Sequence, residues 1–139
     1  MIIDASVLLS AFFTDEAQAQ AQAIMHAHAS GRERLRAPAL LVYDISNAVW
    51  QAERRGRITG AQVNEILQAV AALEIELIPQ AWGEMLTLAR QYICSAYDVA
   101  YLVLAERLGE QLITADLRLY NAVKGKLDWV VWIGDYLNE

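Results

Sequence analysis

Five short strand-like segments, "MIID", "RLRA", "IELIP", "QLITA" and "WVVWI", alternate along the chain with longer stretches of helical pattern. Segments this short, separated by helices, are joined by crossovers and buried on both faces. The alternation therefore restricts the fold to α/β, a mainly parallel sheet of about five strands flanked by helices. In such a sheet the default binding edge is the crevice outside the carboxyl ends of the strands. A length of 139 residues suits a single domain spanning 1–139, with enough chain for one core and too little for two. Hydrophobic residues make up 56% of it, with only seven Gly and two Pro, which argues for a packed, helix-rich globule and against disorder.

The helical stretches carry their own start and stop signals. A helical pattern follows the first strand through Phe13, and a second runs from Asp15 to Ala29. Pro38 suits the first turn of "PALLVYDISNAVWQAERR", in which Leu41, Ile45, Ala48 and Val49 recur at helical spacing until Gly56. Thr59 is placed to cap "GAQVNEILQAVAAL", a further helix is expected from about Ala81 to Tyr92, and "AYDVAYLVLAERLG" ends at Gly109. A short helix is expected around "DLRLYNAV", and a few residues of turn or helix close the chain.

Charge and composition exclude several classes. A formal net charge of -6 repels a phosphate backbone overall, which counts against a simple nucleic-acid binder. Six of the eleven basic residues nonetheless form two clusters, Arg32, Arg34 and Arg36, and Arg54, Arg55 and Arg57. Either cluster is a solvated surface or helix end, or a contact for phosphate. The single cysteine, Cys94, has no internal disulfide partner, and no signal-like segment precedes the first strand, which together suggest a cytoplasmic protein. The longest uncharged apolar run, Val99 to Ala105, is far short of the ~18 residues that span a bilayer. His26 and His28, two apart on a helix, face different directions and read as surface residues; Trp50, Trp82, Trp129 and Trp132 read by default as core or interface aromatics.

Four aspartates carry the chemistry. Asp4 follows the first strand and Asp116 the strand "QLITA", so both project toward the same sheet edge; Asp98 opens the helix between them in sequence. Each also suits a structural role: Asp4 and Asp116 as helix N-caps, and "SAYD" as a capping box with Ser95 as the cap. Asp44 reads as lying well inside its helix, at the edge of the apolar stripe, where it is no cap. Four carboxylates at one crevice, about 6 Å apart, repel by roughly 3 kcal/mol per pair at an effective dielectric of ~20. Proton uptake or a divalent cation must compensate, and an all-oxygen donor set suits Mg²⁺ or Mn²⁺, which points to phosphodiester chemistry.

The segments "MIIDASVLLSAFF", "APALLVYDISNAVW" and "SAYDVAYLVLAERLGEQLITADLRL", in this order, resemble the PIN-domain nucleases, and among them the VapC toxins of toxin–antitoxin pairs. The resemblance covers essentially the full chain and implies a three-layer α/β/α sandwich, one or two Mg²⁺ or Mn²⁺ ions, and endonucleolytic cleavage of RNA, often tRNA or rRNA. Carried over by position, it implies a catalytic and metal-holding set of Asp4, Asp44, Asp98 and Asp116, supported by Ser6, Asn47 and Thr114. It also implies a cognate VapB-type antitoxin, received by a groove that helices around Val63 to Val70 help to form, and a homodimer. One departure matters: the second acidic position is usually glutamate in the family, and Asp44 is one methylene shorter. Two other readings remain open from the sequence, an inactive PIN-fold binding module and a phosphoacceptor receiver domain. The receiver fits less well, because the middle strand ends "LIPQ" and nothing basic follows "WVVWI".

Overall fold

The computed structural model describes residues 1–14 and 17–138. Its sheet has five strands, β1 (Ile2–Ile3), β2 (Arg36–Pro38), β3 (Glu76–Ile78), β4 (Leu112–Thr114) and β5 (Val130–Trp132). Their order is β3-β2-β1-β4-β5, and every pairing is parallel. The central strands are what the sequence pattern demanded: Ile2, Ile3, Leu112 and Ile113 are all buried, because helices cover both faces. Chain order runs outward from β1 to β2 and β3 on one side, then returns to β4 and β5 on the other. The switch point of the sheet therefore lies between β1 and β4, where loops leave in opposite directions and open a crevice.

Among the described residues seven helices supply the outer layers. On one side α1 (Ala5–Ser10) packs against α2 (Gln18–Ala29) and α3 (Leu41–Arg54), and α3 against α4 (Gly60–Ala72). On the other, α6 (Ala96–Leu108) lies across β2, β1 and β4 and is backed by α5 (Glu84–Tyr92), while α7 (Leu117–Val123) packs on β4 and β5. Covered on two sides, α6 buries Val99, Ala100, Tyr101, Leu102, Leu104 and Ala105, so it shows no polar stripe. It ends where Gly109 adopts the left-handed conformation that a glycine takes without strain. Thr59 and Gln62 form a reciprocal capping box at α4. A short 3-10 helix, Ile133–Asn138, closes the described chain. No helix among the described residues is long and apolar enough to cross a membrane.

Several expectations are corrected. Pro38 ends β2 instead of opening a helix; it pairs with Ile78 of β3, where the Ala39 N–H donates to the Ile78 carbonyl, so no ladder bond is lost at a residue without an N–H. α3 consequently starts at Leu41, and Asp44 stands in its first turn, not well inside the helix. α5 begins at Glu84, after Gly83, three residues later than expected. The expected start of α2 at Asp15 lies outside the described residues. His28 is no free surface residue: its Nδ1 accepts from the Leu35 N–H at 3.0 Å, so Nε2 carries the proton and donates to the Leu73 carbonyl at 2.6 Å. It ties the end of α2 to the approach of β2 and the end of α4. Trp50 and Trp82 are exposed, not core; only Trp129 and Trp132 are partly covered by it.

Candidate active site

Asp4 leaves β1 at the switch point and is 5% exposed. It caps α1, accepting from the Val7 N–H at 3.3 Å, and its two oxygens are held by hydroxyls: Ser6 donates to Oδ1 and Thr114 to Oδ2, each at 2.5 Å. Both hydroxyls also accept from the end of β4, Ser6 from the Ala115 N–H at 2.9 Å and Thr114 from the Asp116 N–H at 3.0 Å. Two small polar side chains thus stitch the carboxyl ends of β1 and β4 together and fix the Asp4 carboxylate over the seam. Burial pushes Asp4 up from 3.8 to about 6; the three hydrogen bonds oppose it and the charge of Asp116 adds to it.

Asp116 caps α7, its Oδ1 accepting from the N–H groups of Arg118 at 3.0 Å and Leu119 at 3.3 Å. Asp98 stands in the first turn of α6. Ser95 takes the Asp98 N–H at 3.1 Å, but the reciprocal half of the expected capping box does not form. The Asp98 carboxylate turns instead to Arg118, whose Nη2 lies 3.0 Å from Asp98 Oδ2 and 3.7 Å from Asp116 Oδ2. Burial raises Asp98; Arg118 opposes this, and Asp116 and Asp44 add to it. On the facing helix α3, Asp44 Oδ2 accepts from the buried Tyr101 hydroxyl of α6 at 2.6 Å. Burial, and then Asp44 itself, keep that phenol protonated and so a donor.

The four aspartates are therefore brought to one junction and feel one another's charge. Among the described residues no three acidic, His or Cys side chains stand pre-assembled as a metal cage. The carboxylates are partnered from within the chain, by hydroxyls, backbone N–H groups and Arg118. Their chemistry still fits a hard cation, since every donor is oxygen and one carboxyl sits where burial disfavours its charge unless a cation compensates.

The remaining predicted residues separate. Ser6 and Thr114 touch Asp4 as described, whereas Asn47 is exposed on α3, one turn beyond Asp44. Arg34 pairs with Glu76, and Arg36 with Glu110. Arg36 and Glu76 open their strands, so Arg32, Arg34 and Arg36 belong to the amino-end edge of the sheet, away from the junction. Arg54 stacks on Trp50, and Arg57 on Phe13. Arg54 lies ten residues along α3 from Asp44, roughly 15 Å at the helical rise, and Arg55 and Arg57 follow it. Two junction residues escaped sequence reasoning, Tyr101 and Arg118. Their signal was position, three residues after Asp98 and two after Asp116.

The sequence matches the PIN domain family over residues 1–125. It is 26% identical to Ribonuclease VapC3 of Pyrobaculum aerophilum, covering 86% of this chain and 91% of that protein. With Ribonuclease VapC9 of Mycobacterium tuberculosis it shares 32% identity over 86% of this chain and 87% of the relative. The solved structure of PAE2754 from Pyrobaculum aerophilum superposes with a TM-score of 0.74 at 25% identity, over 99% of this chain and 85% of that one.

Proposed function

This chain belongs to the PIN domain family, and from that premise we propose that it is the ribonuclease toxin of a VapC-type toxin–antitoxin pair, an endonuclease cutting tRNA or rRNA. The observation that carries the proposal is the junction itself: carboxylates from β1, α3, α6 and α7 meet at the switch point of a parallel sheet, with only oxygen donors. Two similar proteins, each matched over 86% of this chain, are named ribonucleases. The proposed cofactor is Mg²⁺ or Mn²⁺, one or two ions, held by Asp4, Asp98 and Asp116, with Asp44 helping to hold it or orienting water. When bound, the metal neutralises the scissile phosphate and lowers the pKa of a coordinated water.

The chain's own residues do the rest. Ser6 and Thr114 fix the direction of the Asp4 carboxylate, and Tyr101 fixes that of Asp44 by occupying one of its oxygens. Such supporting hydrogen bonds set both the orientation and the basicity of the groups they hold. Asp4 must lose its proton before it can serve as a ligand, and because burial raises that carboxyl, metal and proton compete for it and metal binding weakens as pH falls. No protein nucleophile is required. A VapB-type antitoxin, a homodimer and a cytoplasmic location complete the proposal.

The test is cleavage of a tRNA pool and of a circular RNA, which has no ends, with Mn²⁺ against EDTA and with Asp98→Asn. Metal-dependent cutting of both substrates, lost in the variant, supports the proposal; cutting unaffected by EDTA and by the substitution refutes it. A second reading, a weak or inactive PIN-fold binding module, is favoured by one feature, the short Asp44 carboxylate already engaged by Tyr101. Such a module would show no stabilisation by Mn²⁺.

A further inference from the structure

Arg118 is the one basic side chain that reaches the junction among the described residues, and it stands where a helix tolerates a cation least. It is the second residue after the Asp116 cap of α7, and positive charge in a first turn opposes the helix dipole. Packing does not explain it, because its side chain is 75% exposed. Local preference and observed position disagree, which is the mark of a functional position. What holds Arg118 is a single guanidinium nitrogen shared between a carboxylate of α6 and one of α7. A cation held by Asp98 and Asp116 would draw on the same two carboxylates that Arg118 engages.

We propose that Arg118 is an exchangeable counter-ion: it rests on Asp98 and Asp116 while the junction holds no divalent cation, and moves to the RNA phosphate when it does. The inference rests on the metal-dependent ribonuclease reading. A guanidinium stays charged and has no lone pair to offer a metal, so Arg118 and a bound cation exclude each other, by repulsion and by competition for oxygen. Exposed ion pairs are weak, so Arg118 yields to a divalent cation instead of blocking it. Once released, its planar fork of donors matches the oxygens of a phosphate better than an ammonium does. Arg118 is thus a substrate-binding side chain held on two carboxylates of the junction until a cation displaces it.

The experiment pairs Mn²⁺ titration by calorimetry with RNA cleavage at saturating Mn²⁺, for wild type, Arg118→Ala and Arg118→Lys. The alanine variant is expected to bind Mn²⁺ about two- to fivefold more tightly, the range of a weak competing pair. It is also expected to cleave at least about tenfold more slowly, because a donor to the reacting phosphate is gone. Lysine, which keeps the charge and loses the fork, is expected to restore the Mn²⁺ affinity of wild type and only part of the rate. A purely structural role would weaken both properties together. Unchanged or weaker Mn²⁺ binding by Arg118→Ala, or an undiminished rate, overturns the proposal alone. Failure of the wild type to bind Mn²⁺ overturns the metal reading and this proposal with it.

Discussion

Asp4→Asn should make the metal-free protein more stable at neutral pH while removing its response to divalent cations. Burial holds the Asp4 carboxyl at about 6, up from 3.8. Below the lower value the side chain is protonated in the folded and unfolded chains alike and adds no pH dependence. Between the two values the unfolded chain releases its proton and the folded chain keeps it, so stability falls as pH rises. Above about 6 the loss is complete, and at ~1.36 kcal/mol per pH unit it amounts to roughly 3 kcal/mol. Asparagine is neutral throughout and nearly isosteric, so it escapes that loss. Its amide must face one of the two hydroxyls, Ser6 or Thr114, that now donate to carboxylate oxygens; the mismatch returns about 1 kcal/mol. The variant should therefore exceed wild type by about 1–2 kcal/mol near pH 7.5 and fall slightly below it near pH 4. Urea denaturation in EDTA across that range reads the difference. Added Mn²⁺ should then raise the stability of wild type and leave the variant unchanged. A variant less stable than wild type at neutral pH, or a difference independent of pH, would refute the burial account of Asp4.

Tyr101→Phe removes the hydroxyl that holds Asp44 Oδ2. It should cost about 1–3 kcal/mol, as expected for a bond to a charged acceptor, and slow cleavage more than it weakens Mn²⁺ binding, as read by urea melts and calorimetry. Leu104→Ala empties a fully buried position on α6 and should cost about 2–5 kcal/mol; thermal melts should show the loss, while the folded fraction keeps its cleavage rate. His28→Ala leaves the Leu35 N–H and the Leu73 carbonyl without their partner and should cost about 1–3 kcal/mol, again with activity retained once folded.

The alternation of strand and helix was enough to read the parallel sheet, and the strand ends were enough to place Asp4 and Asp116, because a strand two or three residues long leaves little freedom in where its last side chain stands. What escaped were features decided by pairing across long sequence separations. Pro38 suits a helix start and a strand end equally well by its own dihedral, and the β2–β3 pairing, which reaches Pro38 and Ile78, selects the strand. That choice moves the start of α3 and, with it, the reading of Asp44. His28 could be excluded as half of a chelating pair from spacing alone, yet its two bonds join segments that no local pattern connects. The basic cluster at Arg32, Arg34 and Arg36 is contiguous in sequence, but two of its members pair with glutamates from other strands and loops. Trp50 and Trp82 read as core because large aromatics usually are, and which helix faces lack cover is a property of the assembled layers. Arg118 becomes meaningful only when α6 and α7 bring Asp98 and Asp116 within reach of one nitrogen.

The most direct test of the central claim is a crystal structure of the wild-type protein soaked in Mn²⁺, with anomalous scattering used to locate the metal. The account predicts an anomalous peak coordinated by carboxylate oxygens of Asp4, Asp98 and Asp116, with Arg118 displaced from both of its partners. A map with no peak at the junction, or with Arg118 still resting on Asp98 and Asp116 beside a metal bound elsewhere, would contradict it.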